Sequence, residues 1–135
     1  MREISYSDAI REAIFEEMRR DESVFLMGED VGTFGGVWGV SVGMMEEFGE
    51  ERVRDTPISE AAIIGAGLGA AMVGMRPITE IMFGDFLMCA GDQLVNQVAK
   101  ARFMSGGKAA IPLTIRAMTG APGSAAAQHS QSPES

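Results

Sequence analysis

Three short apolar runs, Val24-Phe25-Leu26-Met27, Pro77-Ile78-Thr79-Glu80-Ile81-Met82-Phe83 and Ile111-Pro112-Leu113-Thr114-Ile115, alternate with stretches whose apolar residues recur at helical spacing. Each run is strand-length, and the unbroken apolarity of the first suits a strand buried on both faces of a parallel sheet. Parallel strands need long crossovers, which the intervening helical stretches supply. The pattern therefore predicts an α/β fold, a three-layer parallel sheet with helices on both faces and its ligand site at the carboxyl ends of the strands. A chain of 135 residues is long enough for one such core and not for two.

Between the strands, Ala9, Ile10, Ala13, Ile14 and Met18 form a three-and-four stripe on a helix predicted to be capped by Ser7 and closed near Arg19-Arg20. Residues 31–43 carry five glycines and read as a long loop with Phe34 and Trp38 as anchors. A short helix around Met44, Met45 and Phe48 and a brief strand at Arg52-Val53-Arg54 lead to a turn at Asp55-Thr56-Pro57. Ser59 then caps a helix over residues 60–73 that is lined with small residues, among them Gly65 and Gly69. Glycine inside a helix costs about 1 kcal/mol relative to alanine, so this lining predicts another backbone packed close against it. Residues 85–104 read as one long helix with Asp92, Asn96 and Lys100 on its polar face. By the strand-end rule, Glu29, residues 55–60, Asp85-Phe86 and the segment after Arg116 converge on one rim.

Charge and composition narrow the function. With 19 acidic against 11 basic residues the net charge is −8, which repels phosphate backbones and argues against nucleic acid as a partner. One cysteine, Cys89, and one histidine, His129, leave no internal disulfide and no Cys/His zinc site, so no metal is assigned to the chain. The apolar stretch over residues 61–75 falls short of the ~20 residues of a membrane span, and no apolar signal region follows Met1-Arg2-Glu3. A soluble, cytoplasmic protein without membrane contact is expected.

Two motifs compete for the chemistry. Gly65-Ala66-Gly67-Leu68-Gly69-Ala70 fits the dinucleotide fingerprint G-x-G-x-x-A, with Asp85 placed 20 residues beyond Gly65 as the ribose-binding acid. An NAD-binding Rossmann-type domain is therefore one alternative, and a non-catalytic assembly module is another. Against the fingerprint, Ser59-Glu60 reads as a helix start where the motif requires a strand. Taken singly, Glu60 reads as a first-turn acid favoured by the helix dipole, His129 as a structural histidine and Phe86 as a core residue.

Together, Gly28-Glu29-Asp30-Val31-Gly32, the run from Arg52 through Asp55-Thr56-Pro57-Ile58-Ser59-Glu60, the run from Arg76-Pro77 through Phe83-Gly84-Asp85-Phe86, Asp92-Gln93, Met104-Ser105-Gly106-Gly107 and Gln128-His129-Ser130-Gln131-Ser132 carry a resemblance. In this order and spacing they resemble the beta subunit of the thiamine-diphosphate-dependent decarboxylase component of 2-oxo acid dehydrogenase complexes. The stretch Arg116-Ala117-Met118-Thr119-Gly120-Ala121 is most similar to the acetoin branch, with the pyruvate branch close behind.

The resemblance implies that residues 1–135 form the amino-terminal part of a transketolase-like pyrimidine-binding domain, incomplete and without the carboxyl-terminal domain. It implies a heterotetramer of two alpha and two beta subunits with the cofactor between unlike chains. It places Glu60 opposite the aminopyrimidine ring of thiamine diphosphate, Phe86 packed on that ring, and His129 near the thiazolium and the incoming lipoyl group of an acyltransferase. Glu29 is implied as an acid near the cofactor that passes protons between paired sites. The Gly-Asp-Gly and asparagine motif that holds Mg2+ and diphosphate belongs to the alpha subunit and is absent from this sequence. A glutamic acid in an apolar pocket keeps its proton to higher pH than in water and can share it with a ring nitrogen.

Overall fold

The computed structural model describes residues 2–120, 123 and 125–133; Ala121, Pro122 and Ser124 of the glycine- and alanine-rich segment, Met1, and residues 134–135 lie outside it. Helix α1 (Tyr6–Arg20) leads into strand β1 (Val24–Gly28), and the loop 31–43 into helix α2 (Met44–Phe48). Strand β2 (Val53–Asp55), helix α3 (Glu60–Met72) and strand β3 (Arg76–Ile81) follow, then a segmented helical stretch ending in helix α4 (Ala99–Met104), and strand β4 (Thr114–Ala117). The sheet is parallel throughout, in the order β2-β1-β3-β4.

Register explains both hydrophobic layers. Gly28 aligns with Asp55 on one side and Glu80 on the other, and Glu80 aligns with Arg116, so all four positions belong to the same sheet face. On that face Val24, Leu26 and Val53 pack under Ile14 and Met18 of α1, Met44 of α2, and Val31 and Val40 of the loop. On the opposite face Ile81, Ile115 and Ala117 meet Ile63 and Ile64 of α3 and Ala90, Leu94 and Val98 of the helical stretch after β3. Helices on both sides of a parallel sheet give the expected three-layer α/β architecture.

The α1 cap differs from expectation. Ser5, not Ser7, occupies the position, its Oγ accepting the Asp8 backbone N–H at 3.1 Å and donating to the Asp8 carboxylate at 2.6 Å. A cap serine needs its partner three residues on, and Asp8 supplies it to Ser5. At the other end Arg52 donates to the carbonyls of Met18 (2.7 Å), Asp21 (3.0 Å) and Val24 (2.7 Å), joining the α1 terminus to β1. A cation on terminal carbonyls satisfies orphan acceptors and complements the helix dipole.

Residues 85–104 do not form one regular helix. Gly84–Ala90 winds as a 3₁₀-helix, Gln93–Val98 as a π-helix and α4 as an α-helix. The buried side accounts for this. Gly84, Leu87 and Ala90 recur every three residues, the period of a 3₁₀ turn, whereas Ala90, Leu94 and Val98 recur every four. The predicted polar ladder is present, Asn96 donating to Asp92 at 2.8 Å and Lys100 to Asn96 at 2.6 Å.

Within the chain, the small-residue lining of α3 is used at Gly67. Gly67 faces β3, where a Cβ would stand 2.5 Å from Thr79 Cγ2 and 3.1 Å from Leu113 Cδ1. Gly69 has open space in its place. The close approach within the chain is thus helix on sheet at Gly67. The Gly65-to-Ala70 fingerprint lies wholly inside α3 and not at a strand-to-helix turn, so the dinucleotide reading is corrected. Strand β4 begins at Thr114, later than expected; Pro112 has no N–H for a ladder.

Candidate active site

The carboxyl ends of β1, β2 and β3 and the turn at Ala127–His129 bring the expected residues to one rim. Glu29 follows β1 directly and is buried, its Oε1 without a partner among the described residues. Burial, followed by the charges of Glu60 and Asp30, raises the Glu29 carboxyl above the ordinary glutamate range. Glu60 opens α3 and is half-buried; the preceding Ser59 holds the cap position without a side-chain bond. The β1 and β2 ends are locked by the Thr56 N–H donating to Gly28 O at 2.9 Å, and Thr56 Oγ1 is a second buried polar atom lacking a partner among the described residues.

A wall of aromatic rings completes the rim. Phe83, just beyond β3, stands edge-on to Phe86 at 5.8 Å and to His129 at 4.6 Å, and Phe86 and His129 are 5.3 Å apart. Trp38 closes the far side, 5.7 Å from Phe83, with its indole N–H donating to Met82 O at 3.4 Å. Phe34, the other expected loop anchor, is 69% exposed. Asp55 ties down the loop instead, accepting the backbone N–H groups of Gly32 (2.6 Å) and Thr33 (3.2 Å).

Phe83, Thr56 and the Glu80–Arg116 pair also stand at or just beneath the rim, without a role in the sequence motifs. The last is a buried ion pair one residue deeper than the rim, between aligned strand positions. Its signal was present: an acid and a base each inside an apolar strand pattern need one another. A cavity of about 660 Å³ opens beside this pair, between α1 and β4, lined by Tyr6, Ile10, Trp38, Ile78, Arg116 and Met118.

The chemistry of these donors fits an amine-bearing aromatic heterocycle. The rim holds two carboxyl groups, one with a buried oxygen that has no partner among the described residues, beside a wall of aromatic rings. Among the described residues no group of three or more His, Cys, Asp or Glu side chains is placed to hold a metal ion. No helix among the described residues is long and apolar enough to cross a membrane.

An open parallel α/β sheet with its polar and aromatic groups at the carboxyl rim defines a domain of the class that receives ligands at strand ends. The chain belongs to the family described as "Transketolase, pyrimidine binding domain", which matches residues 2–135. It is 52% identical to the acetoin:2,6-dichlorophenolindophenol oxidoreductase subunit beta of Bacillus subtilis, over 97% of this chain and 42% of that one. It is 51% identical to the 2-oxoisovalerate dehydrogenase subunit beta of the same organism, over 97% of this chain and 40% of the relative. The chain thus spans about two fifths of the length of these curated relatives. Its fold is shared by a structure titled "Split gene transketolase, inactive beta4 tetramer", with a TM-score of 0.65 at 18% identity, covering 91% of this chain and 35% of that one.

Proposed function

We propose that the chain supplies the pyrimidine side of a thiamine diphosphate site in a 2-oxo acid or acetoin dehydrogenase built from alpha and beta subunits. The observation that carries this reading is the buried Glu29 carboxyl oxygen, without a partner among the described residues, on the same rim as Glu60 and the Phe83–Phe86–His129 wall. The resemblance to beta subunits over nearly the whole chain supports it.

When bound, thiamine diphosphate supplies a nucleophilic carbon and the electron sink for the bond that breaks. The protein's part is position and protons. Glu60 is assigned the proton exchanged with the pyrimidine ring nitrogen, and general acid–base assistance of this kind is worth ~10²–10⁴-fold. Glu29 is assigned to passing protons between paired sites, and burial, followed by the charges of Glu60 and Asp30, raises its carboxyl above the ordinary glutamate range. Phe86 is assigned to packing on the ring. His129 is assigned to acyl transfer toward the lipoyl group of an acyltransferase partner, and Mg2+ with the diphosphate to the alpha subunit.

The deciding experiment is reconstitution of the full-length protein with its alpha subunit. Thiamine diphosphate with magnesium should raise the melting temperature and restore turnover of pyruvate, 2-oxoisovalerate or acetoin. A ligand at a hundred times its Kd stabilises by about 2.7 kcal/mol, a readily visible shift. Stabilisation by NAD alone, with none from thiamine diphosphate, would overturn the reading.

A further inference from the structure

Asp85, the residue that the dinucleotide fingerprint would have used for a ribose, has no part in the proposed cofactor chemistry. We propose that Asp85 is a positioning residue that latches the turn carrying His129 onto the aromatic wall. The latch rests on the proposed role of His129 only for its functional meaning; the latch itself is a matter of backbone geometry.

Two backbone passes cross the segment that begins the 3₁₀-helix. Beyond β4, the chain passes Gly84 so closely that Gly84 N–H donates to Met118 O at 2.6 Å, and a Cβ there would stand 2.5 Å from Thr119 Cγ2. The chain then returns through His129, and both backbone groups of Gln131 are tied: its carbonyl accepts Gly120 N–H at 2.9 Å, and its N–H donates to Asp85 Oδ1 at 3.2 Å. The second bond is the one that a side chain of the helical segment contributes. Asp85 Oδ2 is buried with no partner among the described residues, and Oδ1 carries the bond to the Gln131 N–H.

The turn needs a latch because its entry is strained. Ala126 stands at φ 62° and ψ 179°, a region favoured by glycine, and His129 follows three residues later. Such a backbone persists only where its surroundings over-determine it. Among the described residues the turn is closed by His129 N–H donating to Ala126 O at 3.3 Å, and it is held to the rest of the domain by the ring contacts of His129 with Phe83 and Phe86 and the two bonds of Gln131. Phe86 is the next residue after Asp85, so a single short segment sets the ring and, through the Gln131 amide, the imidazole beside it.

The test uses the full-length assembled protein without cofactor and reads His129 by its rate of modification with diethyl pyrocarbonate, mapped by peptide mass. Asp85→Ala should speed modification about tenfold or more, the size expected for losing a hydrogen bond to a charged acceptor. Asp85→Asn keeps an acceptor oxygen but not its charge, so its modification rate should fall between those of the parent protein and of Asp85→Ala. Gln131→Pro removes the donor with Asp85 intact, and should expose His129 as Asp85→Ala does; combining the two should add nothing. Unchanged reactivity in Asp85→Ala, or equal exposure in Asp85→Asn, would overturn the latch. So would exposure in Asp85→Ala that accompanies global unfolding while Gln131→Pro stays protected. Because neither cofactor nor turnover is involved, failure here leaves the Glu60 assignment standing, and failure of that assignment leaves the latch standing.

Discussion

The imidazole of His129 stands edge-on to the Phe83 ring, with centroids 4.6 Å apart and planes inclined at 76°. Phe86 meets the same imidazole at 85°, so the group is held by ring edges and faces on two sides while remaining half-buried. This arrangement fixes the direction of the imidazole through ring contacts on two sides.

For His129 the substitution that separates packing from chemistry is His129→Phe. Aromatic pairs contribute about 0.5–1.5 kcal/mol beyond burial, so a phenyl ring should keep the wall and the melting temperature within a degree-scale change. Acyl transfer to a lipoyl domain should nevertheless fall by about a hundredfold or more, the size of acid–base assistance. Equal losses of melting temperature and activity would mark a structural histidine instead.

Glu29 predicts a pH signature. Its carboxyl is raised by burial and by neighbouring acids, so the folded protein binds this proton more tightly than the unfolded chain does. The resulting stabilisation is fully present below the ordinary glutamate range and is lost as pH rises through the folded value. Glu29→Gln should therefore lack that decline, and the stability difference between parent and variant should shift in the variant's favour as pH rises. Parallel urea-denaturation curves at stepped pH check it; a constant difference across the acid range would be incompatible with a raised carboxyl.

Much of the sheet was legible because β1 is an unbroken apolar run, because the run from Pro77 to Phe83 is strand-length, and because α1 shows one clean stripe of Ile10, Ile14 and Met18. The rim was legible as a consequence of topology: parallel strands put Gly28, Asp55 and Glu80 in line, so the residues leaving each strand end emerge side by side. The sequence concealed the choice among equivalents. Ser7 suits a cap by its place before the apolar stripe, whereas Ser5 takes it by bonding Asp8, and Phe34 and Trp38 both suit an anchor until the indole finds Met82 O. The contact of His129 with Phe83 depends on a return path through Gln131 whose turn contains an alanine in a glycine-like conformation, which no local propensity would announce.

Helix α3 predicts opposite outcomes for two glycines. Gly67→Ala would force a methyl group against Thr79 and Leu113, an overpacking worth roughly 1–3 kcal/mol, and should lower the melting temperature. Gly69 lies on open space in the chain, so Gly69→Ala should stabilise the helix by up to about 1 kcal/mol. Gly69→Leu then asks whether a subunit covers that side: folding should be unaffected, whereas assembly with the alpha subunit should weaken. Retention of full assembled mass in Gly69→Leu would place the subunit contact elsewhere.

Glu60 carries the prediction on which the proposed chemistry turns. Glu60→Gln keeps length, shape and a hydrogen bond while removing the exchangeable acid, so it should spare cofactor affinity and strike the proton step. In the reconstituted enzyme, hydrogen–deuterium exchange at the thiazolium carbon should slow by ~10²–10⁴-fold. That exchange needs no particular 2-oxo acid, so the result does not depend on which substrate the assembly uses. A first-turn acid retained only for the helix dipole predicts almost no change in the exchange rate, because its removal costs the helix about 0.3–1 kcal/mol and touches no reacting proton. Exchange at the parent rate in Glu60→Gln would remove Glu60 from the chemistry and leave Glu29, the other carboxyl of the rim, as the group to test next.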